Sequence, residues 1–152
     1  MRVNGSTFLK LIPVAVVLAG GIWVASTSAQ AADGGRPLAA AMTGAVEVPP
    51  GDKDGSGTAK FEVNVGKGQI CYTLSVKKLD GTITAAHIHL APAGKAGPVV
   101  VPLKAPVTGT SSGCASVKRA LAKDILMHPS AYYVNVHTTV FPAGAVRGQL
   151  HK

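Results

Sequence analysis

The sequence predicts an all-β fold: an antiparallel Greek-key-like sandwich or flattened barrel of about eight short strands with one short helix. Three observations carry this. From Leu38 onward apolar and polar residues alternate with period two. The alternating runs are separated by joints rich in Gly and Pro, of which there are 18 and 10 in 152 residues. Hydrophobic residues make up 47% and charged ones 14%, so one core can offset the chain entropy, and global disorder or a multidomain machine is excluded.

A leading strand is expected near Ala40–Val48. Phe61, Val63 and Val65 then point one way and Lys60, Glu62 and Asn64 the other. Gly66-Lys67-Gly68 makes a tight connection, and Ile70, Tyr72, Leu74 and Val76 repeat the apolar face, which predicts a hairpin. Asp80-Gly81 turns the chain again. Further strands are expected at Thr82–Leu90, Pro98–Leu103, Gly113–Val117, Ala131–Thr139 and Ala145–Leu150. The helix follows Ser116, which can cap it; Leu121 and Ile125 lie four apart on one face, and Pro129 stops it. Pro49 to Gly57 is polar and Gly-rich, a surface loop. Its Asp52 and Asp54 are similar to a calcium loop, but the rest of that pattern is missing.

The first 31 residues have the look of a secretory signal. Arg2 and Lys10 give a positive start, Leu11 to Ala25 are apolar, and Ala29-Gln30-Ala31 offers a small-x-small cleavage pattern. An uncut membrane anchor is the alternative, but a span needs about 20 apolar residues, and Pro13 and Gly20-Gly21 interrupt this run. The expected division is therefore signal peptide 1–31, linker 32–39 and domain 40–152, with a secreted or periplasmic destination and no stable membrane span after cleavage. Setting aside Arg2 and Lys10 leaves 13 basic side chains against 7 acidic ones. They are mostly scattered lysines with few aromatics beside them, which argues against nucleic acid as partner and supports only weak attraction to anionic surfaces. In an oxidising compartment Cys71 and Cys114 most simply form one disulfide, worth on the order of 4 kcal/mol in the chain-entropy model. Two free thiols or thiolate ligands are the alternative, although a 43-residue spacing without C-x-x-C is poor for a zinc cage.

His87-Ile88-His89 is the most informative tripeptide, because residues i and i+2 of a strand share a face. Ala86, Ile88 and Leu90 take the core side. In the run from Ala131 to His137, Val134 and Val136 point inward and Tyr133, Asn135 and His137 outward. If the two strands are neighbours, His87, His89 and His137 converge and offer three imidazole nitrogens with an open position, a donor set that suits copper, zinc, nickel or iron. The bland alternative is two solvated histidines and a third bonded locally. Arg147, projecting beside Gln149, could attract an anion near the imidazoles or pair with a surface carboxylate. His128 is expected to cap helix carbonyls, and His151 to lie at a frayed C-terminus. There is no G-x-S-x-G elbow, phosphate loop or H-E-x-x-H, and the few acids give poor support to glycoside chemistry.

Ala85-Ala86-His87-Ile88-His89, the run from Ala93 to Val101, the block from Ile125 through Tyr132-Tyr133-Val134-Asn135-Val136-His137 to Thr138, and Ala145-Val146-Arg147-Gly148-Gln149-Leu150 together resemble the CHRD domain. That family was first noticed in chordin and has many bacterial secreted members. The resemblance runs from about Ala40 to Leu150, and the two cysteines sit where the family's commonly do. It implies a module without an established activity. A looser similarity is to the copper site of the Cu/Zn superoxide dismutase sandwich, where H-x-H on one strand and a later V-x-H on another hold copper; no bridging histidine or zinc-ligand set follows His89, so a copper-only site is implied. Three roles follow as expectations: a noncatalytic binding or structural, adhesive envelope module with an unknown protein or small-ligand partner; an exported copper-binding protein with His87, His89 and His137 as ligands; or a dismutase-type enzyme. In the last, Arg147, with Asn135 and Tyr133, would steer a small anion or support the ligands.

Overall fold

The computed structural model describes residues 34–152, so the expected signal peptide lies outside the described residues. Eight strands form one sheet: β1 Arg36–Thr43, β2 Ser56–Asn64, β3 Gln69–Lys77, β4 Ile83–Leu90, β5 Val99–Leu103, β6 Thr110–Ser116, β7 Tyr132–Thr138 and β8 Val146–Gln149. A single α-helix, α1, spans Arg119–Met127. The strand order is β5-β4-β7-β8-β1-β2-β3-β6, and every neighbouring pair is antiparallel. The two end strands are tied across the gap. The Lys104 N–H after β5 donates to the Tyr72 hydroxyl at 2.8 Å, and the Ser111 hydroxyl of β6 donates to the Lys104 carbonyl at 2.7 Å. The sheet is thus nearly closed, an all-β flattened barrel that leaves little open edge.

Period two decides what lies inside. Leu38, Ala40, Met42, Phe61, Val63, Ile70, Leu74, Ala86, Ile88, Val134 and Val136 are all buried in one cluster. Helix α1 adds Ala122, Ile125 and Leu126 to the cluster. The expected hairpin is β2–β3, with Phe61 opposite Tyr72 and a turn in which Gly68 takes φ 61, a conformation that a side chain disfavours.

Several local expectations are corrected. The first strand begins at Arg36 and stops at Thr43, and Gly44–Val46 is a 3-10 turn. The run Ala39-Ala40-Ala41 carries no alternation from which the limits could be taken. Ser116 ends β6 instead of capping α1: the Val117 N–H donates to the Gly68 carbonyl at 2.8 Å, so sheet-like pairing holds the chain extended, and Lys118 takes the cap position without a side-chain bond. The loop before β2 is not all surface. Asp52 is buried, and its carboxylate accepts N–H groups from Asp54, Gly55 and Asp80 at 3.2, 3.1 and 2.7 Å. Backbone donors therefore occupy the oxygens that a calcium loop would offer. His151 is not frayed, since its backbone pairs with Ala39 in both directions.

At the end of α1 the His128 ring meets a carboxylate, Asp124 Oδ1 at 3.0 Å, rather than a carbonyl. The Tyr132 hydroxyl donates to Asp124 Oδ2. These two bonds hold the Asp124 carboxyl below its ordinary value, Tyr132 first and His128 second. Burial, reinforced by Asp124, pushes the Tyr132 hydroxyl up to about 12. A depressed carboxylate contributes stability above its unfolded value and loses it as the pH falls through its folded one. Tyr132→Phe is accordingly expected to lower the melting temperature modestly at neutral pH and to flatten the acid limb of the stability profile. Melting the wild type and variant between pH 2 and 7 checks this, and parallel profiles would refute it.

Candidate metal centre

The three histidines converge because β4 and β7, distant in sequence, are adjacent in the sheet. His87 stands opposite Asn135, His89 opposite Tyr133, and Ala85 opposite His137. All these side chains share the face away from the core, as period two requires. The face is covered in part, with His87 and His137 half-buried. His89 is 7% exposed and Asn135 2%, and every residue of β7 except His137 is buried.

Three loops provide the cover. The β4–β5 loop brings the Gly97 carbonyl within 2.8 Å of His89 Nδ1 and the Gly97 N–H within 3.3 Å of the Tyr133 hydroxyl. The β7–β8 loop places the Pro142 carbonyl 3.0 Å from His137 Nδ1. The loop after β1 delivers Glu47, a residue with no expected role. Its Oε2 accepts from Arg147 Nε at 2.7 Å, both side chains being buried. The signal that could have found Glu47 is weak: one acid between two valines, ahead of Pro49-Pro50. Gly144 is required beside it, because a Cβ there would come 2.3 Å from Glu47 Oε1 and the residue takes φ 144.

Carbonyl oxygens only accept, so Nδ1 of both His89 and His137 carries the proton, and their Nε2 atoms keep lone pairs. Fixing the ring tautomer by a bond to the backbone is how a metal-ligating imidazole is oriented. His89 Nε2 is buried without a partner, and so are Glu47 Oε1 and Asn135 Oδ1. These are the only such side-chain atoms among the described residues, and all belong to this site. Native proteins pair nearly all buried polar atoms, which makes the concentration informative.

His87 Nδ1 lies 3.2 Å from His137 Nε2, and one ring nitrogen from each of the three histidines falls within 4.8 Å of the others. Two nitrogens held at about 2.0–2.1 Å by one metal stand about 2.9–3.4 Å apart for angles between square and tetrahedral. The His87–His137 pair already has that spacing, and the three histidines form a group that could hold a metal ion if the wider separations close. Burial pushes the His87 imidazole below its ordinary value, with His137 and then His89 acting in the same direction. Burial also lowers His137, against the opposing pull of the Pro142 carbonyl and Glu47. Both shifts favour the neutral ring, the form that ligation requires.

The other expected site residues surround the trio. The Tyr133 ring is stacked on His89, with centroids 4.7 Å apart and planes 9° from parallel. The Arg147 guanidinium lies 4.2 Å from the centroid of the same ring and donates to the Lys95 carbonyl at 2.8 Å. Gln149 donates to Ala91 and Ser130 carbonyls. Arg147 is thus 2% exposed and ion-paired with Glu47. His128 and His151 are outside the cluster. Cys71 and Cys114 form the expected disulfide, on the far side of the sheet order between β3 and β6. No described helix is long and apolar enough to cross a membrane.

Compared with known families, residues 38–150 match the model of the CHRD domain. No curated protein and no solved structure matches the chain significantly.

Proposed function

We propose, taking as premise that the chain belongs to the CHRD-domain family, that it is an exported binding module, secreted or periplasmic, which holds one copper ion on His87, His89 and His137. The observation that carries this reading is His89 Nε2, a buried lone pair without a partner, facing a second fixed imidazole lone pair on His137. Three imidazoles without a carboxylate or thiolate in the ligand cluster, together with the general order of divalent affinities, favour copper over zinc. The disulfide and the signal-like leader favour an oxidising compartment.

Bound copper would supply Lewis acidity and one-electron exchange. The chain's own residues hold and shield the site. Gly97 and Pro142 fix the ring tautomers, Tyr133 buttresses His89 by stacking, and Arg147 clamps Tyr133 and the β4–β5 loop together. Asn135, opposite His87 in the β4–β7 register, carries a buried acceptor without a partner. A dismutase-type role asks Arg147 to steer an anion. Its neutralisation by Glu47 speaks for the supporting role instead.

Metal analysis and copper titration of residues 32–152, beside a His87→Ala/His89→Ala variant, test the reading. One equivalent of copper is expected in the native protein and none in a variant that melts cooperatively. Copper at 100 times the dissociation constant should add about 2.7 kcal/mol to the native protein's stability alone. Equal uptake by both proteins, or none by either, overturns the copper site, and dismutase turnover lost on His137→Ala would replace the binding reading with the enzymatic one.

A further inference from the structure

We infer that the end of the barrel carrying α1 is a docking surface for anionic phospholipid, independent of the histidine site. The register defines this end. It collects the start of β1, the β2–β3 turn, the end of β6 and the helix. Lys118 and Arg119 open α1, and Lys123 follows one turn after Arg119. Arg36 and Lys123 line one depression, together with Gly34, Leu126 and Met127.

The placement of these cations is costly to the helix. The N-terminus of a helix carries the positive end of its dipole, and α1 has no acid in its first turn to complement it. Arg119 and Lys123, four apart, also repel each other along one exposed stripe. A local rule broken without a compensating contact points to function. None of Arg36, Lys118, Arg119 and Lys123 meets a carboxylate among the described residues. The nearest acid on the helix, Asp124, is engaged by Tyr132 and His128. The stripe continues from Arg119 and Lys123 to Met127, which is 55% exposed.

Charge chooses the occupant. A cationic patch ending on an exposed apolar side chain suits a headgroup layer, where the cations meet phosphates and the thioether enters the acyl boundary. Bases would need aromatic platforms, and the nearby rings of Phe61 and Tyr132 are buried. At the opposite end Asp52, Asp54 and Asp80 cluster and offset the lysines there, Lys53 and Lys77, whereas the helix-end cations meet no such cluster.

Vesicle co-sedimentation of residues 32–152, which hold every described strand, the core and the disulfide, tests the inference. Phosphatidylglycerol-containing vesicles should bind at low salt, and phosphatidylcholine vesicles should not. Arg36→Gln/Arg119→Gln/Lys123→Gln should weaken binding roughly 100-fold, about fivefold for each cation. Lys53→Gln/Lys77→Gln/Lys104→Gln, with the same net charge removed from the other end, should stay close to wild type. All variants are checked by melting. Equal loss in both triple variants, absence of binding to the anionic vesicles, or tighter binding to a single-stranded oligonucleotide at the same salt would each overturn the proposal.

Discussion

Glu47→Gln is expected to destabilise the fold by about 3–5 kcal/mol, the range for removing one partner of a buried ion pair. Glutamine keeps the size of the side chain and a hydrogen-bond acceptor for Arg147 Nε, so the variant isolates charge from packing. What remains is a guanidinium 2% exposed with no counter-ion, among Tyr133, the Lys95 carbonyl and the covered sheet face. Moving such a charge out of water is costly, and Arg cannot shed its proton to escape the cost. A melting temperature lower by roughly 10–20 °C follows for a domain of this size. Adding Arg147→Met should recover most of the loss, because the pair as a unit contributes far less than one half of it left alone. Urea unfolding of the single and double variants measures the coupling. A single-variant loss below about 1 kcal/mol would show that water reaches the pair and that the cover over the sheet face is loose.

Removal of the Cys71–Cys114 disulfide, as the Cys71→Ser/Cys114→Ser variant, should cost about 4 kcal/mol, since the bond closes a separation of 43 residues. The location of the loss is the sharper expectation. Cys71 and Cys114 stand directly opposite each other in the β3–β6 pair, and β6 has β3 as its only neighbour in the sheet order. On its other side it is tied to the end of β5 through Ser111 and Lys104. An end strand held by one ladder opens first when its cross-link goes. Amide exchange in Thr110–Ser116 should therefore rise well before exchange in β4 and β7. A uniform rise along the chain would mean that the bond acts only through the unfolded ensemble.

The strands themselves were legible because period two is local. Phe61, Val63, Ile70, Leu74, Ile88, Val134 and Val136 all point where alternation places them. The same rule put His87 and His89 on the outward face of their strand, and Tyr133, Asn135 and His137 on the outward face of theirs, with no knowledge of the partner strand. It failed where the pattern was blank, in the alanines of β1, or where two local signals competed, as at Ser116. There a capping residue was outweighed by the continued pairing of Val117 with Gly68.

By itself the sequence determined an all-β domain of the CHRD family, the inward and outward residues of the clearly alternating strands, though not Leu90, expected inside and 42% exposed at the end of β4, and a cysteine pair placed to cross-link. Only the tertiary structure decided that β4 lies beside β7, bringing His87 and His137 within 3.2 Å across 50 residues of chain. It also decided that the outward face would be roofed by three loops, and that Arg147 would find Glu47 100 residues away. The reason is physical: side-chain alternation is dictated by the backbone of a single strand, whereas the neighbour a strand pairs with, and the loops that settle over it, are chosen by the packing free energy of the whole chain.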